Sequence, residues 1–141
     1  MSLGQEVPLF GNQRAQPRVP HSEVTVQRLC SILNATAFPC SIDKDGDICI
    51  EHDDGFVYWL ILDVDQKLIH LGAFWDSANA SLERINQLNR NYGIVQFSMT
   101  TEHVNADYAL PFDDELDIRP LIIICEKFSS ICKAAIRQLD R

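Results

Sequence analysis

The chain has no apolar run approaching the roughly 20 residues that span a bilayer; a stretch such as Leu121–Cys125 is far too short. Basic charge is also scarce. Twelve Lys and Arg stand against 20 Asp and Glu, a net charge of −8, and they are scattered singly along the chain. Phosphate surfaces repel such a molecule unless a basic patch compensates, and none is present, so neither nucleic acid nor an anionic membrane is expected as a direct ligand. The five cysteines, at 30, 40, 49, 125 and 132, form no CxxC pair. Their odd number and the lack of a secretory h-region point to a reducing, cytoplasmic compartment, with each thiol acting as a small buried hydrophobe. Cys125 and Cys132 are seven apart on a predicted helix, about 10 Å along its axis, too far for a disulfide. There is no serine elbow, no HExxH and no phosphate-binding glycine loop. The sequence predicts a protein that is not an enzyme and holds no cofactor or metal.

What remains is an ordinary globular composition, 46% hydrophobic and 23% charged over 141 residues. That is enough chain for one domain with one real core. Residues 1–22 hold Pro8, Pro17 and Pro20 among polar residues without an apolar period. They read as a disordered or loosely docked arm, dispensable for folding, ahead of a domain over residues 23–141.

From Ser22 the pattern turns helical. Val26, Leu29, Cys30 and Leu33 share a face, with Ser22 or Thr25 as cap and Phe38-Pro39 as stop. Short strands follow. Asp43–Asp47 predicts a hairpin loop with Gly46 left-handed, pairing Ile42 with Ile48 and Cys40 with Ile50. Asp53-Asp54-Gly55 sets Ile50 opposite Tyr58 and Ile48 opposite Leu60. Asp63–Gln66 makes a third turn, setting Leu60 opposite Ile69 and Tyr58 opposite Leu71. Asn79 or Ser81 opens a second helix with Leu82, Ile85, Leu88 and Tyr92 on one face and Gly93 as its stop. Two alternating strands follow, through Val95, Phe97 and Met99 and then Val104, Ala106, Tyr108, Leu110 and Phe112. A last helix begins near Pro120, with Leu121, Ile124, Cys125, Phe128, Ile131, Cys132, Ala135 and Leu139 on its broad apolar face. The order α-β-β-β-β-α-β-β-α predicts an α+β domain, helices packed on one face of an antiparallel sheet.

Two arrangements resemble chemistry without supplying it. Asp43, Asp45 and Asp47 suggest a calcium loop, but the EF-hand positions for glycine and glutamate hold Ile48 and Asp54. Cys49 and His70 could be a nucleophile and base, yet Trp59 lies between them on the middle strand, with roughly 10 Å across two strand spacings. The histidines show no ligand spacing, His52 and His70 falling on opposite faces and His21 and His103 in loops.

The meander carries a quieter signal. One face holds Cys40, Ile42, Ile48, Ile50, Tyr58, Leu60, Ile69, Leu71 and Trp75, which suits a side packed under helices. The other should be polar if it met only water. Instead it offers Cys49, Val57, Trp59, Ile61, Leu68, His70 and Phe74. An apolar second face means a covering layer, from the arm or the last helix, or an interface, and those seven residues are the candidate protein interface with Trp59 at its centre.

Ile85-Asn86-Gln87-Leu88-Asn89, the strand through Val95 and Phe97, and Asp107-Tyr108-Ala109-Leu110-Pro111 together resemble the YbjN family of bacterial sensory transduction regulators. Asp45-Gly46-Asp47 and Phe74-Trp75 fit the same resemblance, which spans roughly residues 23–140. It implies the fold of type III secretion chaperones, small acidic α+β proteins that often dimerise and bind other polypeptides, and it brings no catalytic residues. Asn86 and Asn89 match the family's paired asparagines, expected to bond backbone at the helix–strand junction. The expected function is a non-enzymatic protein-binding regulator or chaperone-like adaptor in bacterial signalling, the expected partners being a second copy and a further protein. The alternative is a small-molecule or metal-responsive sensor using His70, Cys49 and neighbouring aromatics.

Overall fold

The computed structural model describes residues 18–101 and 103–140. Thr25 starts the first long helix, α1 (Val26–Thr36), its side chain accepting from the Arg28 N–H. This satisfies one of the amides that a helix start leaves without an intrahelical partner. Leu29, Cys30 and Leu33 form its buried face. The meander follows as β2 (Ser41–Ile42), β3 (Ile48–Glu51), β4 (Val57–Asp63) and β5 (Leu68–Asp76), preceded in the chain by a short strand β1 (Arg18–Pro20). Ser81 caps α2 (Leu82–Asn91), which leads to β6 (Gln96–Met99) and β7 (His103–Pro111). A three-residue strand β8 (Glu115–Asp117) then enters α3 (Ile118–Leu139). Pro120 falls in the first turn of α3, where a missing N–H removes no helical bond.

Six strands form one antiparallel sheet in the order β2-β3-β4-β5-β7-β6, and β1 pairs separately with β8. One sheet face carries Ile48, Ile50, Tyr58, Leu60, Ile69, Leu71, Val104 and Ala106, all buried with Leu121, Cys125, Phe128 and Cys132 of α3 in one core. Tyr58 stacks at an angle on Phe128, ring centroids 5.5 Å apart, and its hydroxyl reaches the Cys125 carbonyl at 3.5 Å. The predicted α+β class with helices on one sheet face therefore holds.

Several details differ from the sequence expectation. Residues 18–22 belong to the folded body: Val19 is fully buried opposite Leu116, and His21–Glu23 forms a 3-10 turn. The arm's first 17 residues lie outside the described residues. The β4–β5 register is two residues off the expected one, with Leu60 opposite Leu71 and Leu62 opposite Ile69. The cause is the turn, which spans 64–67 and puts Lys67 in the left-handed region at φ 55° without the glycine that usually announces it. Because the slip is two, every side chain keeps its face. Cys40 lies outside the ladder rather than opposite Ile50, since β2 begins at Ser41 and Cys40 turns toward α1. Ile42 is exposed on that two-residue edge strand, and Leu82, the first residue of α2, is 73% exposed. His103 opens β7 instead of lying in a loop.

Candidate protein-docking face

The strands that hide Tyr58 and Leu71 inside necessarily point their alternate residues outward. On β4 these are Val57, Trp59 and Ile61; on β5 they are Leu68, His70, Gly72 and Phe74; Cys49 joins them from β3. All seven expected interface residues share this outer face. Cys49, Val57, Trp59, Leu68 and His70 are partly buried, whereas Ile61 and Phe74 are exposed, at 41% and 54%. The helices bury their apolar residues in the core on the other side of the sheet, and α3 borders this face at one end, where Lys133, Ile136 and Arg137 line a depression with Val57, Trp59 and Phe74.

Trp59 lies nearly parallel to Phe74, interplanar angle 8° and centroids 5.5 Å apart. The β4–β5 register explains the stack. Gly72, not His70, sits directly opposite Trp59, so the indole meets no side chain there and reaches the diagonal neighbour Phe74. His70 is opposite Ile61 instead. Cys49 pairs with Trp59 across β3–β4, which leaves the β4 strand between Cys49 and His70. The stack continues to His103, whose ring is 5.4 Å from that of Phe74 and whose Nδ1 is 2.7 Å from Asp76 Oδ1.

The ridge separates two depressions. The larger, about 740 Å³, has Cys49, Trp59, Ile61, Gly72 and Phe74 as its apolar floor and Asp43, Asp45, Asp47 and Asp107 among its walls, with Lys44 as the lining cation. Asp43 is occupied structurally, accepting from the N–H groups of Asp45 and Asp47. Burial first, then Asp43 and Asp45, pushes the Asp47 carboxyl above its ordinary value. Burial does the same to Asp107, opposed by His70. Among the described residues none of these four carboxylates has a lysine or arginine within ion-pair distance. The smaller depression, about 550 Å³, lies at the sheet's end, where Phe56, Val57, Phe74 and Trp75 meet Lys133, Ile136 and Arg137 of α3.

Sequence patterning identified the apolar ridge but missed Gly72, Asn105, Asp107 and the acidic wall. Gly72 was the available signal, since it interrupts the outward series His70, Phe74 at the residue that faces Trp59. Of the paired asparagines, Asn89 bonds backbone as expected, donating to the Phe97 carbonyl at 2.9 Å and accepting from its N–H at 2.7 Å. Asn86 is exposed and makes no such bond. Among the described residues no group of three or more His, Cys, Asp or Glu is placed to hold a metal ion, and no helix is long and apolar enough to cross a membrane.

An α+β body with helices packed on one face of an antiparallel sheet is a fold this chain shares with two solved structures. The chain belongs to the YbjN family, whose model, described as "Putative bacterial sensory transduction regulator", matches residues 25–141. Among solved structures it is similar to YbjN of E. coli, described as "a putative transcription regulator", at 9% identity and TM-score 0.67, covering 83% of this chain and 92% of that one. It is also similar to a chain of the ExsC–ExsE complex, at 15% identity and TM-score 0.51, covering 78% of this chain and 87% of that one. At these identities the likeness is one of fold. No curated protein matches the chain.

Proposed function

We propose that this protein is a non-enzymatic regulator or chaperone-like adaptor that docks a basic, apolar segment of a partner polypeptide on the outer face of its sheet. The observation that carries this is the Trp59–Phe74 stack, on an apolar sheet face that stays partly exposed among the described residues, beside four carboxylates that form no ion pair with lysine or arginine among those residues. Large aromatics at the centre of a patch supply most of the binding energy, while charge at the rim selects the partner. The negative wall fits lysine or arginine, and the floor fits the aliphatic or aromatic side chains between them. Family membership supports a regulatory role, and the likeness to the ExsC–ExsE complex supports polypeptide binding. A cytoplasmic setting accords with five free thiols. A sensor pocket built on Cys49 and His70 has less in its favour, since a whole strand separates the two.

The test uses two labelled synthetic peptides, one alternating lysine with leucine and phenylalanine, the other its glutamate-for-lysine twin. Fluorescence anisotropy should show the lysine peptide bound and its twin not. Phe74→Ala should weaken binding about tenfold or more, equivalent to about 1.4 kcal/mol, while folding stability changes by less than about 1 kcal/mol because the ring is largely exposed. Asp47→Asn with Asp107→Asn should weaken it about fivefold. Glu83→Gln with Glu126→Gln, the same charge change on the helices, should leave it within about twofold. Equal losses from both pairs would reduce the effect to bulk charge. A dimer in sedimentation that Phe74→Ala dissociates would assign the face to a second copy instead.

A further inference from the structure

Cys30 and Cys40 form a thiol pair at the edge of the sheet, beside the proposed docking face. Their Sγ atoms are 3.4 Å apart, joining the middle of α1 to the residue before β2. Asn34 fixes this approach from one helical turn further on. Its Oδ1 accepts from the Cys40 N–H at 2.9 Å, and its Nδ2 donates to the Cys40 carbonyl at 3.1 Å and to the Cys30 sulfur at 3.5 Å. The backbone carrying Cys40 is therefore held against Cys30 before any bond forms. A disulfide measures about 2.05 Å, so the sulfurs need to close by only about 1.4 Å. Access is one-sided. Cys30 is buried, whereas Cys40 is partly exposed and lines a surface depression of about 220 Å³ with Pro39, Ser41, Cys49 and Glu51.

We propose that Cys30 and Cys40 are a thiol-modification site, converted to an intramolecular disulfide by a low-molecular-weight disulfide such as oxidised glutathione. The Cys40 thiolate, having lost its proton to solvent, attacks one sulfur of the oxidant and releases the other half as a thiolate. Cys30, deprotonated in turn, attacks the Cys40 sulfur of the mixed disulfide and expels the second thiolate. Both leaving thiolates take up a proton. The protein is oxidised by two electrons and loses two hydrogens, and one oxidant disulfide becomes two thiols. Cys40 is the entry point because it faces the depression. Cys30 is the resolving thiol because it is already in contact.

The product closes a short loop across Ala37-Phe38-Pro39 and ties α1 to the edge of the six-stranded sheet. Cross-linking restricts the unfolded chain more than the folded one, so the oxidised form is expected to melt about 5–10 °C higher. Burial, and then the Cys30 thiol beside it, hold the Cys40 thiol up at about 12. The thiolate fraction is therefore small at neutral pH, and oxidation is expected to accelerate nearly tenfold per unit between about pH 7 and 9.

The test treats the full reduced chain with oxidised glutathione and maps the product by non-reducing peptide mass spectrometry, with melting curves alongside. The expected product is a cross-link between the peptides holding residues 30 and 40, lost in both Cys30→Ser and Cys40→Ser and retained in Cys49→Ser. Should Cys30→Ser fold poorly because the site is buried, Cys30→Ala serves instead, and the mapping of the native chain stands without either. A Cys40–Cys49 cross-link would overturn the assignment. So would a disulfide between two chains, a stable glutathione adduct on Cys40 with Cys30 free, or no reaction in the folded protein.

Discussion

Asp107 shows what the proposed docking face would cost the molecule that carries it. Its carboxyl lies on β7 across from Gly72, at the wall of the larger depression, where burial raises it above the ordinary carboxylate value of 3.8 and His70 only partly opposes the shift. A carboxyl whose folded value is raised binds its proton more readily folded than unfolded. Its contribution to stability therefore falls as pH rises from 3.8 through the raised value, and the full penalty is present at pH 7. Asp107→Asn keeps the shape and removes the charge. It is expected to stabilise the protein by about 0.5 kcal/mol or less at pH 7, after screening by solvent, with the gain vanishing near pH 4. Urea midpoints at the two pH values measure this; a variant less stable at pH 7 would mean that the carboxylate is satisfied in the folded state. The same substitution is expected to weaken the docking of a basic segment. On the proposed function, stability and recognition are expected to pull in opposite directions at this one residue.

At the scale of the elements, strict alternation made the meander legible. Ile48, Ile50, Tyr58, Leu60 and Leu71 repeat every second residue, and Asp-Gly turns fix two of the hairpins. The outward series came with it, which is why all seven expected residues share one face. The turn before β5 was not legible, because a lysine occupies the left-handed position that glycine or asparagine normally marks. Nor was the β1–β8 ladder, whose three-residue strands carry a proline and too few residues to show a period. The acidic wall was invisible for another reason. It gathers Asp43–Asp47 and Asp107 from segments some sixty positions apart, and only the order β2-β3-β4-β5-β7 brings them together. The buried Val19 makes β1 a structural element rather than part of a dispensable arm. A chain starting at His21 is expected to be less stable than one starting at Pro17 by about 2–3 kcal/mol, the worth of a buried valine and its strand bonds. Thermal melts of the two truncations make the comparison, and equal midpoints would show that β8 and its neighbours close over the gap unaided.

For the molecule as a whole, an open sheet has two ends, and an open end is a template on which further strands can add. At one end β2 is only two residues long and leads into the charged Asp43–Asp47 loop. At the other, the Asn89 amide binds both the N–H and the carbonyl of Phe97. Those groups point away from β7, where another chain would otherwise attach, so a single side chain acts as a false neighbouring strand. This asparagine at the end of α2 is therefore expected to guard against polymerisation, a hazard for any protein whose sheet also bears an exposed aromatic ridge. Asn89→Ala leaves the ridge and the groove untouched. The variant is expected to lose soluble protein and gain light scattering and thioflavin T fluorescence on standing at high concentration, while the parent chain stays clear. A variant that remains equally clear would show that the net charge of −8 alone keeps the molecules apart.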